Sequence, residues 1–239
     1  MATSYPSGLD AWTNPTSTDT LDSATVPHAT QHTNLNDAVE AIEAELGTLP
    51  KGSFGTVRER LEAIEGEGWT PAQLGFKAWN YDPMGFQAGT VLPANGTLYV
   101  QKLYTPASLS VTNVHYQVIT AGSGLTANQN FAGLYSAAGA LLGSTADQST
   151  GWTNVGTRTM ALTGGPFTVD AGFFYVALYS NGTTRPSMGR LGNNIGGMNG
   201  LLSAANSRWA SANTGLTTAL PATLGTLTGT NLAFWAAVS

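Results

Sequence analysis

The chain of 239 residues is 42% hydrophobic, which is globular in character and excludes wholesale disorder. Only 10% of its residues are charged, against roughly 25% in an average soluble protein, so its surface must be built from Ser, Thr, Asn, Gln and Gly. It has no cysteine, which removes disulfides, thiolate metal sites and cysteine catalysis together.

The charge is unevenly placed. Residues 1–68 carry eleven acidic and three basic groups, residues 69–239 three acidic and six basic, and no glutamate follows Glu67. That break predicts two kinds of structure in one chain. Neither part has the basic patch that nucleic acid requires, and no apolar run approaches the length of a membrane span. No charged and then apolar leader opens the sequence, so no secretory signal is expected.

Residues 1–33 combine three prolines with Ser, Thr and Asp and show no apolar periodicity, which predicts an extended arm. Leu9, Trp12, Leu21 and Val26 are scattered along it, as suits a segment lying against another protein. A helix is expected over residues 35–46. Leu35, Val39, Ile42 and Leu46 have the 4-3-4 rhythm of a coiled-coil seam, Asn34 or Asn36 can cap the start, and Gly47 then Pro50 end it. A second helix is expected over residues 53–64, with Phe54, Val57, Leu61 and Ile64 as its seam and Ser53 as its cap. Helices this short, each with one narrow apolar stripe, do not stabilise themselves in a single copy. Partner helices from identical chains are the favoured solution. Residues 67–75 read as a linker.

From about residue 76 the texture changes to strands. Residues 97–104, 110–120, 130–136, 156–162, 173–180 and 231–238 are rich in β-branched and aromatic side chains. Turn chemistry separates them at Asn95-Gly96, Gly122-Ser123-Gly124, Ala138-Gly139, Gly164-Gly165-Pro166 and Asn181-Gly182. A hairpin is expected around Ala138-Gly139, and residues 189–230 are read as long loops around one or two strands. The fold class this implies is mainly β, an antiparallel β-sandwich of jelly-roll type over residues 76–239.

Candidate chemistry is sparse. Asp82, Asp147 and Asp170 are the carboxylates of the β region, and Asp82 and Asp170 stand in turn sequences, where aspartate bonds its own backbone. His115 lies within a strand, and no G-x-S-x-G elbow accompanies it. His28 and His32 are four residues apart, a spacing that binds zinc on a helix, yet Pro27 argues against a helix there; capping or packing is the expected role, with no metal and no cofactor. The Gly192–Gly200 stretch lacks the Lys-Ser/Thr of a phosphate loop and is read as a surface loop. Asn95-Gly-Thr and Asn181-Gly-Thr match the glycosylation pattern but are better explained as hairpin turns. Trp152 and Trp209, flanked by small polar residues, are the candidate surface ligand contacts, and Trp235 is expected in the core.

The segment SYPSGLDAWTNPTSTDTLDSATVPHATQHTNLNDAVEAIEAELGT resembles the opening of fibre-like and minor tail proteins of tailed phages of actinobacteria. The resemblance covers about the first 50 residues. It implies a module for virion attachment or trimerisation, carried here by Tyr5, Pro6, Asn14, Pro15, Pro27, His28, His32 and the helix over residues 36–47, with Trp12 joining the anchor. Residues 79–239 resemble the β-sandwich heads of such proteins more loosely. The expectation is a non-enzymatic virion protein: arm 1–33 holding other virion proteins, residues 34–66 forming a homotrimer, and the head 76–239 facing host-surface glycan. A capsid decoration or head-fibre protein of the same build is the runner-up. A glycan-degrading tail enzyme comes third.

Overall fold

The computed structural model describes residues 18, 20–22, 24, 28–65, 69–87, 93–191, 199, 202–203 and 206–239. The chain divides into two compact units, Met1–Glu67 and Gly68–Ser239, so the division coincides with the last glutamate of the sequence.

In the first unit, α1 spans His28–Leu46 and α2 spans Val57–Glu65. The first helix begins seven residues before the expected residue 35, so His28–Thr33 belong to it rather than to an arm, and Asn34 and Asn36 lie inside it rather than capping it. Pro27 precedes this helix in sequence, so its lack of an N–H removes no hydrogen bond from the helix interior. Gly47 ends α1 in the left-handed conformation (φ 67°), its N–H donating to Glu43 O at 2.9 Å. The cap of α2 is Thr56, not Ser53: Thr56 Oγ1 accepts from Glu59 N and Glu59 Oε2 accepts from Thr56 N, both at 3.1 Å. This reciprocal capping box satisfies donors that have no partner inside the helix. Residues 50–56 are turns, so Phe54 precedes the helix instead of lying on its seam. The seam residues themselves face outward. Leu35, Val39, Ile42 and Leu46 are 42–55% exposed, while Asn34 and Ala38 are the buried residues of α1.

The second unit is mainly β with antiparallel sheets. Its strands are β1 (Ala78–Trp79), β2 (Phe86–Gln87), β3 (Tyr99–Thr105), β4 (Leu109–Val111), β5 (Asn113–Thr120), β6 (Ser123–Tyr135), β7 (Leu141–Ser144) and β8 (Gly156–Ala161). There follow β9 (Phe167–Val169), β10 (Gly172–Thr184), β11 (Ser187–Met188), β12 (Arg190–Leu191), β13 (Trp209–Ser211), β14 (Thr228–Gly229) and β15 (Ala236–Val238). One sheet runs β14-β13-β3-β10-β6-β7; the other runs β1-β15-β5-β11, with β8 on the free side of β5. Two small ribbons, β12-β2 and β4-β9, complete the pairing.

Side-chain alternation explains the layers. On β10, Phe174, Val176 and Leu178 join Leu103 and Leu134 of the same sheet and Val114, Tyr116, Val118, Met160 and Val238 of the other in one hydrophobic cluster. The alternate residues Tyr175, Ala177 and Tyr179 point the other way, into a second cluster with Val100, Ala210 and Leu220. That second cluster exists because residues 213–227 cross the outer face of the larger sheet. Leu216 N donates to Gly96 O, Leu224 N to Gly139 O and Leu141 N to Ala222 O, all at 2.8–2.9 Å. Gly96 stands in the left-handed region (φ 63°), and a Cβ there would lie 2.8 Å from Leu216 O, so the crossing requires glycine.

The Ala138-Gly139 hairpin is present, Ser136 N donating to Ala140 O and Gly139 in the left-handed region. One expected turn and the expected linker are corrected. Asn181-Gly182 is a bulge inside β10, where the register with β6 shifts between Ser180 and Gly182. Asn130 fixes it: its Oδ1 accepts from Ser180 Oγ at 2.6 Å and Asn181 N at 3.1 Å. Residues 69–75 are not a linker either. Thr70 and Gln73 cap a short 3-10 helix, Pro71–Leu74, and Phe76 packs edge-on against Trp235 and His115. The 189–230 stretch contributes the short strands β12, β13 and β14.

Candidate functional site

The two tryptophans named as candidate surface contacts are inside, packed into their own β unit. Trp152 sits in a 3-10 turn (Gly151–Thr153) with its side chain 0% exposed, its indole N–H pointing at Met160 Sδ 3.3 Å away. Trp209 is 3% exposed, held in β13 opposite Gln101. Small polar neighbours mark a tight turn or a covered strand here, and the indole is the apolar anchor that the turn drops into the core. Both are withdrawn as ligand contacts. Trp235 is in the core as expected, its Nε1–H donating to Tyr81 O.

Two exposed aromatics, Tyr104 and Phe173, lie instead on the outer face of β3 and β10, beyond the reach of residues 213–227. Register places Lys102 opposite Tyr175 and Tyr104 opposite Phe173. Tyr104 and Phe173 are 55% and 56% exposed, their ring centroids 5.2 Å apart. Lys102 Nζ lies 5.5 Å from the centroids of both the Phe173 and the Tyr175 rings, where the negative ring faces attract the ammonium. Desolvation there lowers the Lys102 pKa below its ordinary value.

Two depressions open beside this platform, on either side of the Ala137–Gly139 turn. One, of about 280 Å³, is bounded by Ser136, Thr168, Asp170 and Phe173. The other, of about 380 Å³, is bounded by Tyr175 and Leu224–Leu227. Rigid ring faces next to hydroxyls, a carboxylate and an ammonium can cover an apolar surface of a ligand while hydrogen-bonding its polar edge.

The remaining candidates have local roles. Asp82 Oδ1 accepts from Met84 N at 2.8 Å, closing its own turn, and Asp147 Oδ1 accepts from Asn130 N at 3.1 Å. His115 is 5% exposed, with Ser239 Oγ 2.9 Å from Nε2 and Thr159 Oγ1 3.2 Å from Nδ1. The group at Nδ1 is a hydroxyl rather than the carboxylate that orients a catalytic imidazole. Burial lowers its pKa to about 4. His28 and His32 are both exposed on α1, their Nε2 atoms 3.1 Å apart.

Of the residues expected to form a trimer seam, Phe54, Val57 and Leu61 are 36–53% exposed, and the Ile64 side chain lies outside the described residues. Of the anchor, Tyr5, Pro6, Trp12, Asn14, Pro15 and Pro27 lie outside the described residues, as does most of Gly192–Gly200. Asn199 of that stretch is buried and structural, its side chain bonding Trp209 O and Arg208 N. Among the described residues no helix is long and apolar enough to cross a membrane, and no group of three or more His, Asp or Glu converges as a metal site. No protein-family model matches the chain, and no curated protein matches it.

Proposed function

We propose that this chain is a structural protein of a bacteriophage particle, a fibre or minor tail protein. In this reading the first residues anchor it to other virion proteins. The two helices hold three copies together as a coiled coil, and the β unit is a jelly-roll-like sandwich displayed toward the host surface. The observation that carries the proposal is the stripe of Leu35, Val39, Ile42 and Leu46 on α1, at heptad spacing and 42–55% exposed. Such a stripe suits association with copies of itself. The phage assignment is supported by the resemblance of the first 50 residues.

The Tyr104/Phe173/Lys102 platform, with Tyr175 buried beside the Lys102 ammonium, is the surface we assign to host-cell glycan. Weak single contacts would add up through three linked copies. Binding is favoured over glycan cleavage because glycoside hydrolysis uses a pair of carboxyl groups, and Asp170 is the carboxylate at this face. Gold-labelled antibodies against the chain, imaged on purified particles, test the reading: label at the tail is expected. Label over the capsid would move the assignment to a decoration protein of the same build, and unlabelled particles would overturn it. A gain in reducing ends when the purified protein meets host envelope glycan would overturn the binding-only role.

A further inference from the structure

We propose that His28 and His32 form a transition-metal site completed when copies of α1 associate along their exposed seam, an inference that rests on the oligomer reading above. The spacing carries the first part of the argument. His28, His32, Leu35, Val39, Ile42 and Leu46 follow one another at intervals of 4, 3, 4, 3 and 4 residues, so the two histidines continue the heptad stripe by one further repeat. Any association that brings the leucines and isoleucine together around an axis brings the imidazoles there too.

The rings are already placed as a chelating pair. Their Nε2 atoms stand 3.1 Å apart, with centroids 4.4 Å apart and planes at 84°. An ion bound to both at 2.0–2.1 Å would subtend about 100° at the metal, between the octahedral and tetrahedral angles. One chain offers two such donors, while three parallel, in-register chains offer six. Imidazole donors without thiolate suit Zn²⁺ or Ni²⁺. Only a parallel, in-register bundle puts all the pairs at one level, so the ion also selects that alignment over a shifted or antiparallel one.

The test uses the full, untagged chain. Zn²⁺ or Ni²⁺ is titrated calorimetrically while light scattering reports the mass of the same sample. One ion per three chains is expected, with His28→Ala and His32→Ala each lowering affinity by at least about 100-fold, beyond the loss seen for partners that only orient a ligand. A trimeric protein that binds no more tightly than the double variant would overturn the metal site and leave the oligomer standing. One ion per chain would overturn the sharing. A monomer would overturn the seam on which the site depends.

Discussion

The two units place the same kinds of side chain in opposite ways. In the β unit, Phe174, Val176 and Leu178 on one face of β10 and Tyr175, Ala177 and Tyr179 on the other are all buried. In the helical unit, Leu35, Val39, Ile42, Leu46 and Leu61 are between 42% and 53% exposed or slightly more. Burial of one such side chain is worth roughly 1.5–3 kcal/mol. The β unit obtains this from its own chain, through two sheets and a crossing segment. Within one chain α1 buries Asn34 and Ala38 while its aliphatic stripe stays open, and a helix as short as α2, at 9 residues, is marginal alone. One unit covers most of its large apolar residues itself, and the other leaves a stripe of them uncovered.

The contrast breaks most visibly in the core. Trp152→Ala should destabilise the β unit by about 3–5 kcal/mol, since it empties a fully buried site; denaturant unfolding followed by tryptophan fluorescence measures it. A loss below 1 kcal/mol would return Trp152 to the surface. Next comes the covering segment: Gly96→Ala should cost about 1–3 kcal/mol through left-handed strain and the contact with Leu216.

Acid should act on the β unit through His115. The unfolded imidazole takes up its proton near 6.5 and the buried one only near 4. Between those values the unfolded chain binds more protons, so this contribution is full above pH 6.5 and drains away as the pH falls toward 4. His115→Gln should flatten the fall in melting temperature between pH 6.5 and 5. An unchanged slope would assign that fall to other groups.

The smallest effects on stability belong to the exposed face. Phe173→Ala and Tyr104→Ala should leave unfolding within about 0.5 kcal/mol of the parent and reduce adhesion of fluorescent oligomers to host cells about tenfold, the weight of about 1.4 kcal/mol. Undiminished adhesion by both variants would remove this face from the binding account.

Much of the fold was legible because strands announce themselves by alternation and turn residues. Residues 130–136, 156–162 and 173–180 fell on β6, β8 and β10, and Ala138-Gly139 on a real hairpin. The misreadings share a cause: local sequence does not report what covers it. Polar flanks around Trp152 and Trp209 described their turns, not their exposure. Asn181-Gly182 had turn chemistry, but Asn130, fifty residues away, holds it as a bulge. The expected start of α1 fell seven residues late because Pro27 argues against a helix at His28 and His32, whereas the helix begins directly after it. The exposed aromatic face was only partly legible in the alternation of Val100, Lys102 and Tyr104: Tyr104 is exposed, whereas Val100 is buried under the crossing segment. Only the register of β3 with β10 shows that Lys102 meets Tyr175 and Tyr104 meets Phe173.

The comparison stands or falls on whether the helical unit finds its partner in other copies of the chain. Light scattering coupled to gel filtration, at micromolar concentration, measures this directly. The account predicts a particle of three 24.7 kDa chains, reduced to one by Val39→Asp with Ile42→Asp while the β unit keeps its unfolding midpoint, because facing charges cannot be buried unpaired. A wild-type protein that runs as a monomer of 24.7 kDa would contradict it.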